Sequence, residues 1–103
     1  MKLTVIATIA TGALLSTSAM ANMELAKKSN CMACHAVDKK MVGPAYQDVA
    51  AKYKGQADAV KKLSAKVKAG GKDVWGPVPM PPNANVKDAD IETLVKWILA
   101  GAK

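Results

Sequence analysis

The chain has 103 residues, half of them hydrophobic, and a formal net charge of +7 from 15 basic and eight acidic residues. This length allows one small domain and excludes a multidomain enzyme. The two cysteines exclude a disulfide-rich scaffold, and with a single histidine they leave a closed Cys/His zinc site one ligand short.

Residues 1–21 have the pattern of a secretory signal peptide. Lys2 supplies a positive start, residues 3–15 are mostly apolar, and Ala19-Met20-Ala21 has the A-x-A form of a cleavage site. A membrane anchor is the alternative, but a spanning helix needs roughly 20 apolar residues, more than this stretch contains. We predict cleavage after Ala21 and export to the periplasm. The mature domain is then residues 22–103, without a membrane span.

The mature domain is predicted to be all-α, with four or so short helices and no strand. Helical spacing of apolar residues supports the last three helices, and Gly55 and the Gly70-Gly71 pair are expected to end the second and the third. The last helix has the clearest amphipathic stripe and is expected to pack across the first. The predicted helices cover residues 22–34, 45–54, 57–69 and 88–101, and the stripe consists of Ile91, Leu94, Val95 and Ile98.

The first predicted helix ends in Cys31-Met32-Ala33-Cys34-His35, and in an exported protein this pattern is the attachment signature of a c-type haem. Thiols three positions apart lie on one face of a helical turn, where both can form thioether bonds to the two vinyl groups on one side of a porphyrin. His35 follows at once, so its imidazole comes beneath the iron. The motif therefore predicts one haem c, bound covalently through Cys31 and Cys34, with His35 as an axial iron ligand.

Three other interpretations of the cysteines have less support. A thiol redox pair usually accompanies a βαβ pattern, which this sequence lacks. A zinc site would be short of a ligand. A disulfide that closes so short a loop would constrain the unfolded chain very little.

The composition also favours a large cofactor in the core. The chain has no Phe, two Trp and two Tyr, so its core lacks large flat side chains. Domains of this size often need a metal or a disulfide for stability. A haem would supply a rigid disc around which small aliphatic side chains can pack. We therefore predict that the haem-free protein is largely unfolded.

The turn at residues 41–44 contains Pro44, for which two roles are equally supported. A carbonyl near Pro44 is a candidate acceptor for the second imidazole proton of His35, and such a bond would fix the ring orientation. An ordinary turn proline explains the residue as well.

A proline-rich loop between the third and fourth predicted helices contains Met80, the best candidate for the second axial ligand. Four prolines surround Met80, and a stiff backbone can hold one side chain at a fixed point. Thioether sulfur is a soft ligand, and Met/His ligation raises the haem potential and leaves no open site. A methionine is more often a core filler, which is the alternative. The other methionines of the mature domain have less suitable positions: Met23, Met32 and Met41.

Taken together, these motifs resemble those of the small bacterial class I cytochromes c of the c-551/c-552 type, over essentially the whole of residues 22–103. The matching segments are Cys31–His35, Met41-Val42-Gly43-Pro44-Ala45-Tyr46, Val74-Trp75-Gly76-Pro77 and Val78-Pro79-Met80-Pro81-Pro82-Asn83. The resemblance implies the cytochrome c fold, a few short helices around one covalently bound haem, with Trp97 packed near the haem. One departure is Ala26, where some relatives carry an aromatic residue.

The resemblance also implies roles for individual residues. It implies His35 and Met80 as the axial ligands, with the Pro44 carbonyl orienting His35. It implies that the Trp75 indole donates a hydrogen bond to a haem propionate. It places the amide of Asn83 near the Met80 sulfur.

These features predict an electron-transfer protein rather than an enzyme: a one-electron carrier between respiratory redox partners, with a low-spin His/Met haem. A small-ligand sensor or a peroxidase-like enzyme would need an open sixth position. No His, Arg or acidic residue stands beside Met80 in the sequence to assist peroxide cleavage. A thiol oxidoreductase would need free Cys31 and Cys34.

The positive charge predicts acidic redox proteins as partners. Loss of Lys2 leaves the mature chain at +6, or about +4 with two ionised haem propionates. Lysine, which supplies all the basic residues, suits solvated and loosely held encounters. Lysines beside the haem motif are expected to steer docking of a donor cytochrome or reductase complex and of an acceptor reductase or peroxidase; a solvated basic face is the alternative. These are Lys27, Lys28, Lys39 and Lys40. Nucleic acid is excluded as a partner by the predicted export and by the lack of a binding motif.

Overall fold

Four α-helices form the fold of residues 15–103, the part of the chain that the computed structural model describes. Within this part, the only strand-like pairing is an isolated bridge between Gly71 and Met80. The predicted all-α fold is therefore confirmed, and three helices have ends within two residues of the predicted ones. The helices are α1 (Leu15–Lys28), α2 (Tyr46–Lys52), α3 (Ala59–Ala69) and α4 (Asp88–Leu99), and a 3₁₀ turn covers Cys31–Ala33.

The C-terminal end of the first helix was predicted too late in the chain. α1 ends at Lys28 rather than at Cys34. Asn30 has a φ of 64°, a left-handed conformation that a right-handed helix cannot continue. The positive charges of Lys27 and Lys28 stabilise this end, because the C-terminus of a helix is the negative end of its dipole. The haem-binding motif is therefore a separate segment that follows α1.

The N-terminal end of α1 also differs from the prediction. α1 begins at Leu15 rather than at Asn22, so the predicted cleavage site after Ala21 falls within the helix. Residues 1–14, which contain most of the predicted signal peptide, lie outside the described residues. No helix of the described chain combines the length and the hydropathy that crossing a membrane requires.

α4 is the central element of the core, since it packs against each of the other three helices. Three residues of the predicted stripe on α4 are buried, with Ile91, Leu94 and Val95 at most 3% exposed, and the fourth, Ile98, is partly buried. Burial of one such aliphatic side chain stabilises the fold by roughly 1.5–3 kcal/mol. One core cluster joins α4 to α2 and α3 and consists of Val49, Tyr53, Ala59, Leu63, Ile91 and Val95. This cluster fixes the positions of α2 and α3, which form the walls of the site described below.

A second core cluster joins α1 to α4, as the sequence predicted for these two helices. Ala26 is completely buried in it, beside Tyr46, Leu94 and Trp97. The methyl side chain of alanine allows α1 and α4 to approach closely, and the two large rings fill the remaining space. Alanine at this position is therefore compensated by aromatic residues from other elements.

Candidate haem-binding site

A 3₁₀ turn presents the two cysteines of the motif. In this geometry residues i and i+3 are eclipsed, so the turn brings Cys31 and Cys34 to one side. The amides of Cys34 and His35 donate to the Cys31 carbonyl, with N···O distances of 3.3 and 3.1 Å, and hold the turn closed. The one-sided arrangement of thiols therefore comes from this turn and not from the end of α1.

The surroundings of the cysteines do not favour thiol or zinc chemistry. No disulfide joins Cys31 to Cys34, and Cys31 packs partly buried beside Tyr46. Burial raises the pKa of the Cys31 thiol, whereas reactive redox cysteines have a lowered pKa. Among residues 15–103, no three His, Cys, Asp or Glu side chains lie close enough together to hold a metal ion.

Three neighbours hold the His35 ring. Its Nδ1 lies 2.8 Å from the Pro44 carbonyl oxygen. Because a carbonyl oxygen only accepts, Nδ1 carries the proton and donates, and Nε2 keeps its lone pair. The Tyr46 ring stacks on the imidazole, with centroids 5.2 Å apart and 23° between the planes. The third neighbour is Gly43, where a built Cβ would lie 2.5 Å from the ring. The imidazole thus has one tautomer and one orientation, as a metal ligand requires.

Tyr46 connects the His35 ring to the core. Its ring meets Trp97 edge to face, with centroids 5.7 Å apart and 73° between the planes. Tyr46 is 2% exposed, and burial raises the pKa of its hydroxyl, so the side chain is neutral near pH 7. Trp97 packs behind Tyr46 and is not among the residues that line the cavity described below. Its expected place near the haem therefore stays a prediction.

The loop that carries Met80 is bonded to the end of α3. Gly71 and Met80 exchange two backbone hydrogen bonds, with N···O distances of 3.1 and 2.7 Å. Gly70 has a φ of +84°, and a Cβ built there would lie 2.7 Å from the Met80 carbonyl oxygen. The backbone N–H and the side-chain amide of Asn83 both donate to the Val67 carbonyl at 3.1 Å. The backbone is therefore fixed at Met80 itself, by Gly71, and three residues after it, by Val67 of α3.

His35 and Met80 line one cavity of about 440 Å³. Cofactor and small-molecule sites have volumes of roughly 300–1,000 Å³, so this cavity is of the expected size. Aliphatic side chains from α2, α3 and α4 form much of its wall: Val49, Leu63, Val67, Val95 and Ile98. Imidazole nitrogen and thioether sulfur are the donor pair of Met/His-ligated haem. The residues present therefore fit a haem.

The structure brings together five of the seven residues predicted for the site. Cys34, His35, Pro44, Trp75 and Met80 line the cavity. Cys31 lies in the neighbouring core cluster beside Tyr46, and Asn83 fixes the loop to α3.

Two predicted contacts with the haem and its ligand stay predictions. Trp75 is 40% exposed at the cavity, and the Lys52 ammonium lies 5.5 Å from the centroid of its ring. The propionate to which the Trp75 indole is predicted to donate belongs to the haem and not to the polypeptide, so this hydrogen bond stays a prediction. The Asn83 amide donates to the carbonyls of Val67 and Pro81, at 3.1 and 3.3 Å, which leaves its predicted place near the Met80 sulfur untested.

Three residues of the site have roles that the sequence did not predict. From the sequence, Gly43 is only part of a turn, Gly70 only ends a helix, and Tyr46 only belongs to a segment that resembles the family. Only for Gly43 does the sequence contain a sign of its role beside His35, because this glycine directly precedes Pro44 in the segment that follows the haem motif.

An apolar cavity with an imidazole and a thioether on its wall, next to a Cys-x-x-Cys-His turn, defines a class of all-α proteins that hold haem covalently. Comparison with known proteins gives the family within this class. The model of the Cytochrome c family matches residues 20–102, and the chain belongs to this family.

Its relatives and structural neighbours include small bacterial cytochromes. The chain is 61% identical over 82 residues to cytochrome c-551 of Allochromatium vinosum, which covers 80% of this chain and 87% of the relative. It is 52% identical over 100 residues to cytochrome c-552 of Nitrosomonas europaea, covering 96% and 97% of the two chains. The crystal structure of wild-type Nitrosomonas europaea cytochrome c552 has a TM-score of 0.74 at 55% identity, and the match covers 76% of this chain and 96% of that chain.

These relationships confirm the predicted family, fold and cofactor. The protein is a monohaem cytochrome c with a covalently bound haem c, and it is an electron carrier rather than an enzyme.

Proposed function

We propose that the protein is a periplasmic one-electron carrier between respiratory redox partners, with His35 and Met80 as the axial ligands of a low-spin haem. The observation that carries this assignment is the bond from His35 Nδ1 to the Pro44 carbonyl, in a cavity that Met80 also lines. Because Nδ1 donates to the Pro44 carbonyl, Nε2 is the nitrogen that would bind the iron, and the Met80 thioether would supply a soft second ligand. When bound, the haem supplies a one-electron iron couple.

The chain's own residues prepare the site for electron transfer in three ways. The Pro44 carbonyl, by accepting a hydrogen bond from Nδ1, orients the His35 imidazole and strengthens Nε2 as a ligand. The aliphatic wall excludes water from the ligands, which favours the less charged, reduced iron. The hydrogen bonds of Gly71 and Val67 with the Met80 loop fix the backbone that carries the thioether, so that the protein would have to move little when the iron of a bound haem changes its oxidation state.

Trp75 and Asn83 are assigned supporting roles. The Trp75 indole is proposed to donate to a haem propionate, and the nearby Lys52 ammonium would stabilise the negative charge of that propionate. Asn83 is proposed to place its amide near the Met80 sulfur. Its bond to the Val67 carbonyl supports the role, because it fixes the loop three residues after the ligand.

Residues 1–21 are proposed to be an export signal that is removed after Ala21. The A-x-A pattern that ends at Ala21 supports this position. The intact mass of the protein isolated from the periplasm tests the proposal. It should equal that of residues 22–103 plus one haem, and a different first residue would contradict the cleavage site.

Docking of acidic redox proteins is proposed at the mouth of the cavity. Met41 and Val42 line the cavity and are 46% and 57% exposed. Lys39 and Lys40 directly precede them and are also exposed. An apolar patch with a charged rim is typical of an interaction surface, and the lysines would steer an acidic partner toward it.

The docking proposal predicts a charge effect that depends on position. The double variant K39Q/K40Q should slow electron exchange with an acidic redox protein at low salt, and the difference should vanish as ionic strength rises. The matched control is K61Q/K62Q, which removes two exposed lysines from α3. Equal slowing in both double variants, or a rate that ionic strength does not change, would contradict steering at this surface.

Optical spectra of the oxidised and reduced holoprotein, with and without carbon monoxide, test the ligands. Low-spin bands, a weak long-wavelength Met–iron band and no response to carbon monoxide are expected of the wild type. Met80→Leu should lose the long-wavelength band and bind carbon monoxide. The control is Met41→Leu, which should keep the band although Met41 also lines the cavity. A high-spin wild type that binds carbon monoxide would instead support a ligand sensor or a peroxidase-like enzyme.

A further inference from the structure

Position 43 requires glycine because a side chain has no space beside His35, and not because the backbone conformation favours glycine. Its φ lies outside the positive region that favours glycine, in contrast to Gly55 and Gly70. A Cβ built at Gly43 would lie 2.5 Å from Cε1 and 2.8 Å from Nδ1 of His35. Real Cβ atoms essentially never approach other heavy atoms within 3.0 Å. A side chain at this position would therefore require either the imidazole or the turn to move.

Neither the ring nor the turn can move without the loss of other contacts. The His35 ring is stacked on Tyr46, which is 2% exposed and packed in the core. Its Nδ1 donates to the Pro44 carbonyl at 2.8 Å. The Gly43 N–H in turn donates to the Cys34 carbonyl at 2.7 Å, which binds the turn to the haem motif. Contacts with Tyr46 and Pro44 thus fix the imidazole, and the bond to Cys34 fixes Gly43, so neither can move away from the other.

We propose that Gly43 is a positioning residue for His35: its missing side chain admits the imidazole in the orientation that Pro44 and Tyr46 define. The inference rests on the proposed ligation of the haem iron by His35. A methyl group at position 43 would turn the ring and bend or lengthen the Nδ1–H···O bond. Both changes alter how Nε2 acts as a ligand, although the ligand itself is still present.

The test compares two alanine variants as holoproteins, Gly43→Ala and Gly55→Ala. Gly55 has a φ of +82°, and its built Cβ has no atom within 4 Å, so that variant adds backbone strain without a new contact. Gly43→Ala should shift the midpoint potential and the hyperfine-shifted NMR signals of the His35 ring. Hydrogen exchange at Nδ1–H should become about tenfold faster, as loss of most of one hydrogen bond predicts. Gly55→Ala should lower the unfolding free energy and leave all three measurements as in the wild type.

The outcomes separate this inference from the proposed ligation. A wild type without a low-spin His/Met spectrum would overturn the ligation itself. Wild-type ligation together with an unshifted Gly43→Ala variant, or with equal shifts in both variants, would overturn the positioning role alone. If Gly43→Ala is obtained only in small amounts, its electron paramagnetic resonance g values replace the NMR signals in the same comparison. Because Gly43→Ala keeps the whole attachment motif, the positioning role predicts that the haem still attaches. Failure of attachment in this variant alone would therefore also overturn the positioning role.

Discussion

Replacement of Asn83 by alanine should loosen the loop that holds Met80. The side-chain amide donates to the carbonyls of Val67 and Pro81, at 3.1 and 3.3 Å. A hydrogen bond contributes about 0.5–1.5 kcal/mol net, and the exposed bond to Pro81 belongs at the low end of this range. The Val67 carbonyl keeps a partner, since the backbone N–H of residue 83 also donates to it at 3.1 Å. We therefore expect the unfolding free energy to fall by about 1–2 kcal/mol.

Two assays of the oxidised holoprotein measure this effect. Thermal unfolding should show a fall in Tm, which is about 4–8 °C for each kcal/mol in a domain of 60–100 residues. If Met80 ligates the iron as proposed, added imidazole would compete with it and would bind only when the loop has opened. If the opening becomes easier by the same 1–2 kcal/mol, the apparent affinity for imidazole should rise roughly 5–30-fold.

Two further variants isolate the role of the amide. Asn83→Asp keeps the shape of the side chain, but a carboxylate cannot donate and would face the Val67 carbonyl oxygen. It should therefore be less stable than Asn83→Ala. Asn85→Ala changes an exposed residue of the same loop and should have little effect. Wild-type stability and wild-type imidazole affinity in Asn83→Ala, or an Asn83→Asp variant more stable than Asn83→Ala, would refute the reasoning.

Three other predictions concern the same fold. Gly70→Ala should lower the unfolding free energy by more than Gly55→Ala, because both have positive φ but only Gly70 meets the Met80 carbonyl oxygen; equal losses in denaturant unfolding would contradict the close contact. Lys96→Met removes a 3.0 Å ion pair with Glu92 whose side chains are 62% and 53% exposed, so the loss of unfolding free energy should stay below about 1 kcal/mol and shrink in high salt. Polypeptide produced without haem should lack most of the helical circular dichroism of the holoprotein, since the wall of the cavity would have nothing to pack against; a dispersed NMR spectrum of that polypeptide would argue against this.

The attachment motif and the helices were predictable because both depend on short stretches of chain. Cys31, Cys34 and His35 are identified by spacing alone, since covalent attachment and ligation need these side chains within one turn. The stripe on α4 follows from helical periodicity over a few turns. Gly70, which ends α3, acts through its own backbone conformation, with a φ of +84°. In each case the physical cause lies within a few residues.

The end of α1 shows where this local reasoning becomes less certain. The spacing of the two cysteines favoured a helix that continues into the motif, but Asn30 adopts a left-handed conformation, with a φ of 64°. Asparagine tolerates this conformation better than most residues, yet it also occurs within helices, so the sequence allows either outcome. The two cysteines remain on one side because the 3₁₀ turn has an equivalent i, i+3 geometry.

The sequence by itself determined the fold class, the attachment of the haem and the candidate ligands, because spacing and composition carry that information. Only the tertiary structure decided how the ligands are held. The space beside Gly43, the Val67 carbonyl that binds Asn83 and the stacking of Tyr46 on His35 all join residues from different elements. Their distances depend on how α3 and α4 pack and on where the turn folds back onto the motif. No local pattern encodes these distances, since they result from the whole core reaching close packing at once.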